Sequence, residues 1–151
     1  VIRDVLILVQ SAMARHGIRQ HGSLPTDLPL VLGDRVQLQQ VVLNLVMNGI
    51  EAMAEVSDRG RELSVRAQRH QFDDGPGVLV SVEDTGPGLA PETLDRVFEA
   101  FYTTKAKGLG MGLSISRSIV EAHGGRLWVS VNDGPGLTFQ FVVPAPDTRQ
   151  S

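Results

Sequence analysis

Three features of this sequence could do chemistry: two asparagines one helical turn apart, an aspartate followed by spaced glycines, and a glycine run that leads into a helix. Asn44 and Asn48 lie in GDRVQLQQVVLNLVMNGIEAM, residues 33–53, with Gln37, Gln40 and Glu51 spaced three and four residues from their neighbours in the set. At roughly 100° per residue these five side chains share one narrow face of a helix that is otherwise almost entirely apolar. A buried amide without partners costs about 1–3 kcal/mol, so the stripe requires either neighbouring loops or a bound polar ligand. The helix alone leaves both open. Amide oxygens of this kind suit a hard cation.

Asp84 leaves the end of a predicted strand in EDTGPGLAPETLDRVF, where Gly86 and Gly88 bracket Pro87. Glycines there permit a close approach that side chains would block, although an aspartate in such a place can also simply cap a turn. Gly108, Gly110 and Gly112 immediately precede a helix, so their amides and the helix N-terminus can face an anion, most often phosphate. Lys105 stands before these glycines. A dinucleotide fingerprint would need a strand directly before a G-x-G-x-x-G spacing, and a Walker loop would need its lysine after the glycines. Neither pattern is present.

The elements that must position these residues follow from periodicity. Val5, Leu6, Val9 and Met13 predict an amphipathic helix over 1–16 that stops at Gly17. A short edge strand is expected over 18–24, and Pro25 and Pro29 keep the chain extended until Asp34 caps the asparagine helix, which ends near 56–60. The period then changes to two at Leu63, Val65 and Ala67, and again over 78–82, which predicts an antiparallel hairpin with a polar turn at 71–77. A short helix over 92–97, a mobile loop over 98–110 and a helix from 111 to His123 follow, with Gly124 and Gly125 as its C-cap. Strands over 126–131 and 137–143, joined by NDGPG, close the chain. This order describes an α+β fold, a two-layer sandwich with a mixed, mostly antiparallel sheet and helices on one face.

The 151 residues fit a single domain, 1–151, with enough chain to bury a core. With 42% hydrophobic and 21% charged residues, net charge −3 and no block of like charge, nucleic acid is not an expected partner. Cysteine is absent, which excludes disulfides, thiolate metal sites and cysteine nucleophiles. No apolar run approaches the roughly 18 residues of a membrane helix. The first residue is not Met and a helical pattern is already under way, so the expectation is a domain excised from a longer protein.

In order, NLVMNGIEA, DTGPGL, FEAF, GLGMGLSIS and GLTF resemble the asparagine, first glycine, phenylalanine, second glycine and last boxes of the ATP-binding domain of bacterial sensor histidine kinases. Gyrase, the heat-shock 90 chaperones and mismatch-repair ATPases share that superfamily. The resemblance covers almost the whole chain, and the wording TTKAKGLGMGLSISRSIVEAHGG is similar to the nitrogen-regulation and nitrogen-fixation subgroup. It implies a Bergerat-type fold whose ATP lid is the stretch 98–110.

The resemblance also implies roles. Asn48 would give its amide oxygen to Mg²⁺, and Asn44 would contact the phosphates or the ion's waters. Asp84 would accept the adenine amino hydrogen, where guanine presents a carbonyl instead. Gly86 and Gly88 would let backbone approach the base, and Gly108, Gly110 and Gly112 would face the phosphates. Lys105 would reach the terminal phosphate as a charge, and Thr138 would help hold a water network beside adenine. Phe98 and Phe101 read as packing anchors of the lid hinge. Gly49 stands where relatives more often have alanine, at a cost of roughly 1 kcal/mol of helix propensity, and Ala100 stands where they have proline. Glu51, where many relatives carry a basic residue, has no assigned role.

His16, His21, His70 and His123 all lie outside the S/T-H-E/D helix pattern of the family's acceptor histidines, so the acceptor is expected N-terminal to residue 1. Hydrolysing relatives carry a glutamate one turn before the magnesium asparagine. Asn44 occupies that position and has no useful basicity, so hydrolysis should be slow. The expected function is donation of the γ-phosphate to a histidine on a separate phosphoacceptor domain, with a response regulator downstream; the alternative is a nucleotide-gated binding module or weak ATPase. The fragment is expected to be monomeric, its parent homodimeric, and its location cytoplasmic whether or not the parent is membrane-attached.

Overall fold

The change of period at Leu63 opens the second of five strands in a mixed sheet whose strands, named by their first residues, lie in the order Ile18, Arg61, Gly75, Leu137, Arg126. The computed structural model describes residues 7, 13–15, 17–23, 35–53, 60–73, 75–86, 112–134 and 136–145. Its elements are β1 (Ile18–Ser23), α1 (Arg35–Met53), β2 (Arg61–Phe72), β3 (Gly75–Glu83), α2 (Gly112–Ala122), β4 (Arg126–Val131) and β5 (Leu137–Pro144). The helix expected over 1–16 is described at residues 7 and 13–15; Gly17, at φ +63°, donates its N–H to Ala14 O (3.2 Å) and turns the chain into β1. The expected short helix at 92–97 and lid at 98–110 lie outside the described residues.

β1 runs parallel to β2, and the other three pairings are antiparallel. Register places alternate residues in rows. Val65, Val82, Phe139 and Val129 form one row across four strands, and Ala67, Val80, Phe141 and Leu127 form the next. These rows join Leu38, Val41, Val42, Leu45, Val46 and Ile50 of α1, and Val120 of α2, in one core. Both helices therefore cover the same face of the sheet, because the strand residues of these rows all point to one side while their chain neighbours point to the other. Burial of each such side chain contributes about 1.5–3 kcal/mol, which holds the helices against the strands.

The open face has its own order. Trp128 Nε1 donates to Gln140 Oε1 (3.1 Å), Gln140 Nε2 donates to Ser81 Oγ (3.1 Å), and the Arg126 guanidinium lies 4.7 Å from the Trp128 ring centroid.

The hairpin is longer than the hydrophobic alternation suggests. Phe72 pairs with Gly75, so the strand pairing runs on into the stretch 71–77 where a turn was expected. A Cβ on Gly77 would lie 2.3 Å from the Phe72 ring, so the ring crosses the next strand where a side chain is missing. Helix α2 ends as expected: Gly124, at φ +81°, donates to Glu121 O (3.0 Å), and Gly125 N donates to Val120 O (3.0 Å), a Schellman cap.

Candidate functional site

Helix α1 carries both halves of the site along its length. The apolar side of this helix is fixed by the core, so its polar stripe has to emerge beside the first turn of α2. Gln40 Nε2 donates to Asn44 Oδ1 (2.9 Å), and Asn44 Nδ2 donates to Gly112 O (3.2 Å) and to Ser116 Oγ (3.0 Å). Ser116 is fully buried. Asn44 thus ties α1 to the helix that follows the glycine run, across 68 and 72 residues of sequence. Asn48 is half-buried one turn further on, while Gln37, Gln40 and Glu51 are exposed. The contact between Gln40 and Asn44 is at the surface, so water or a ligand oxygen can take its place.

Asp84 follows β3 and is 3% exposed, the one charged side chain among the described buried residues. Its Oδ1 accepts from Gly86 N (2.9 Å) and Leu137 N (3.4 Å), and its backbone N–H donates to Leu137 O (3.0 Å). These backbone donors fix the direction in which the carboxylate points. Three glycines surround it. A Cβ on Gly49 would lie 3.5 Å from Asp84 Cβ and 3.0 Å from Leu63 Cδ1, which gives a packing reason for glycine where alanine would form the better helix. A Cβ on Gly86 would lie 3.1 Å from Asp84 Oδ1 and 3.1 Å from Ala52 Cβ, and one on Gly136 would lie 2.0 Å from Asp84 O. About 7.5 Å of helix rise separates Asn44 from Gly49, so the asparagines and the carboxylate are neighbours along one rigid element.

Residues not singled out in the sequence complete this frame. Thr85 Oγ1 accepts from Glu62 N (3.0 Å) and donates to Gly60 O (3.1 Å), and lies 3.5 Å from Met53 Sδ. Asn132 Nδ2 donates to Asp84 O (3.0 Å), and Thr138 Oγ1 donates to Asn132 Oδ1. Asn132 looked like a turn residue of NDGPG, and Ser116 like one more small residue in a helix. Nothing local marks either, because their partners are 48 and 72 residues away.

Of the residues expected at the site, Asp84, Gly86 and Thr138 gather at the ends of β3 and β5. Asn44 and Gly112 meet between the two helices, and Asn48 lies one turn further along α1. Gly88, Lys105, Gly108 and Gly110 lie outside the described residues. A Cβ on Gly112 would make an ordinary 3.7 Å contact with Asn44 Cγ, so crowding does not demand glycine there. His123 Nδ1 donates to Ile119 O (2.8 Å) at the end of α2 and takes no part in the site.

A family model described as histidine kinase-, DNA gyrase B- and HSP90-like ATPase matches residues 33–147. Sensor protein FixL of Bradyrhizobium diazoefficiens is 49% identical over 125 residues, covering 83% of this chain and 24% of FixL. Sensor histidine kinase ZraS of Escherichia coli (strain K12) is 40% identical over 150 residues, covering 99% of this chain and 30% of ZraS. The chain therefore spans less than a third of the length of either relative. Among solved structures, the catalytic domain of histidine kinase ThkA superposes with TM-score 0.80 at 33% identity, covering 96% of this chain and 92% of that one. Full-length ShkA in complex with AMPPNP gives TM-score 0.79 at 33% identity, covering 95% and 29%. ThkA in complex with response regulator protein TrrA gives 0.78 at 31%, covering 96% and 39%.

Proposed function

The chain belongs to the histidine kinase-, DNA gyrase B- and HSP90-like ATPase family, and from that premise we propose that it is the catalytic, ATP-binding domain of a sensor histidine kinase, spanning 1–151 of a longer protein. It binds Mg-ATP and gives the γ-phosphate to a histidine on a separate phosphoacceptor domain. The observation that carries this reading is the buried Asp84 carboxylate, framed by Gly49, Gly86 and Gly136, with Gly49 on the helix that also carries Asn44 and Asn48.

A buried carboxylate held by backbone donors is a directional acceptor, and in this reading it takes the adenine amino hydrogen. Guanine would turn a carbonyl toward it, and two acceptors repel. Gly86 and Gly88 keep side chains away from the plane of the base. The donor set also suits magnesium: that ion keeps several waters and takes few protein oxygens beside the substrate phosphates, so one amide oxygen from Asn48 would suffice, with Asn44 one turn away for the phosphates or the ion's waters. When bound, Mg²⁺ neutralises phosphate charge and orients the transferred group. Asn48 offers it an amide oxygen. Asn44 faces the phosphates while keeping the start of α2 in register through Gly112 and Ser116. Lys105, Gly108 and Gly110 contact the phosphates from the lid at 98–110 and Gly112 from the start of α2, and Thr138 supports the base side.

Phosphoryl transfer depends mainly on positioning and charge neutralisation, so a domain without a general base of its own can serve as the donor half. Asn44 offers no proton acceptor for water, and hydrolysis is accordingly slow. The histidine comes from the acceptor domain, and a response regulator, the kind of partner that TrrA is for ThkA, takes the phosphoryl group next. We place this work in the cytoplasm, where ATP is, with a homodimeric parent and a monomeric isolated domain. No helix among the described residues is long and apolar enough to cross a membrane.

Thermal melting with Mg-ADP and Mg-GDP tests the reading. A rise with ADP that GDP does not give supports it. No rise with either at millimolar concentration overturns it.

A further inference from the structure

We propose that Asn132 is a positioning residue for adenine selection, acting through the backbone of Asp84, and that Thr138 acts through Asn132. The inference rests on the functional reading above and assigns a specificity role to the turn between β4 and β5.

Asp84 is the first residue beyond β3, where the ladder that fixes a strand has ended. Its carboxylate can be a selective acceptor only if its two flanking peptides are held, since a hydrogen bond weakens steeply with misalignment. The β4–β5 turn does the holding. Asp84 N–H donates to Leu137 O, and Asp84 O accepts from Asn132 Nδ2. Gly136, at φ +93°, is seated so tightly on that carbonyl that a Cβ would lie 2.0 Å from it.

The orientation of the Asn132 amide is fixed by the chemistry of its partners. Asp84 O can only accept, so Nδ2 must face it, and Oδ1 then faces Thr138 Oγ1, which must donate. Asn132 N–H donates to Gly136 O (3.1 Å) and closes the turn behind this arrangement. Thr138 lies in register with Glu83 on β3 and Ser130 on β4, so its hydroxyl is delivered by the sheet itself. The result is a relay from a sheet-anchored hydroxyl through one amide to the carbonyl of the selecting residue.

The test uses the 151-residue chain with two probes, Mg-ADP and the magnesium complex of purine riboside 5′-diphosphate. The second carries hydrogen where adenine has its amino group. Asn132→Asp keeps an acceptor for Thr138 but loses the donor to Asp84 O, Asn132→Ala loses both, and Thr138→Val removes the hydroxyl that donates to Asn132 Oδ1. Isothermal titration gives the affinity ratio of the two probes. The expected result is that both Asn132 variants lower the ADP preference about fivefold, the worth of one hydrogen bond, with the analogue's own affinity held within about twofold. Thr138→Val lowers it as well, and adding it to Asn132→Ala gives no further loss, because the pair acts as a unit.

An unchanged ratio in both Asn132 variants overturns the inference, and so does an equal loss for both probes, which would mark Asn132 as merely structural. Wild-type selectivity for ADP in that same experiment would leave the functional reading standing. Wild-type protein that binds neither probe overturns the functional reading and the inference with it. If Asn132→Ala melts below the assay temperature, Asn132→Asp and Thr138→Val carry the test between them.

Discussion

Replacing Asp84 with asparagine keeps the shape of the site and changes its chemistry. The side chain is 3% exposed, and its Oδ1 accepts from Gly86 N at 2.9 Å and Leu137 N at 3.4 Å. An asparagine oxygen can keep both bonds, so the fold should survive with its unliganded melting temperature within a few degrees of the parent. The second carboxylate oxygen becomes an NH₂ group, which donates where adenine also donates. Losing a hydrogen bond to a charged acceptor costs about 1.5–3 kcal/mol, or roughly 10- to 150-fold in affinity. Take Mg-ADP at about 100 times the parent dissociation constant, where it adds about 2.7 kcal/mol to stability. A roughly hundredfold weaker variant at the same concentration gains about 0.4 kcal/mol. For a domain of this size that converts a rise of roughly 5–11 °C into one of about 1–2 °C. Differential scanning fluorimetry reads this directly. An Asp84→Asn variant that rises as far as the parent refutes the assignment of Asp84 to the base.

Three other substitutions probe the frame around that carboxylate and the phosphate side. Gly136→Ala places a Cβ 2.0 Å from Asp84 O at a φ of +93°, and should cost more than about 3 kcal/mol in urea unfolding; a loss under about 1 kcal/mol would contradict the close seating of the turn. Thr85→Val removes the acceptor for Glu62 N and the donor to Gly60 O, and should cost about 1–3 kcal/mol by the same measurement, with an unchanged unfolding midpoint as the contrary result. Asn48→Ala should weaken Mg-ADP binding about tenfold while magnesium-free ADP binds within about twofold of the parent; equal weakening in calorimetry with and without the ion would remove Asn48 from the metal site.

How much of this was legible in the sequence depends on the range of the interaction concerned. The asparagine helix, the hairpin and the last two strands were legible because their signals are local: a 3.6-residue period up to Met53, alternation at Leu63, Val65 and Ala67, and Gly124 as a left-handed cap. The length of the hairpin was not, since Gln68, Arg69, His70 and Gln71 carry no alternation, while the pairing runs on to Phe72, whose ring packs over Gly77. The parallel docking of β1 on β2 was equally hidden, because its partner begins 43 residues after Ile18, at Arg61. In the site, Asp84, Asn44 and Asn48 stand out by residue type against their surroundings. Asn132, Ser116 and Thr85 do not, since each is an ordinary polar residue that gains its place from a distant carbonyl, amide or N–H. Sequence spacing identifies the groups that would touch a ligand, and tertiary register supplies the groups that hold them.

Donation of phosphate to a histidine is tested most directly by transfer from ATP labelled at the γ-position to a separately supplied phosphoacceptor domain. The expected result is acid-labile, base-stable label on the acceptor, dependence on magnesium, and slow release of free phosphate when the acceptor is withheld. Free phosphate released at the same rate with and without acceptor, and an acceptor that stays unlabelled, would contradict it.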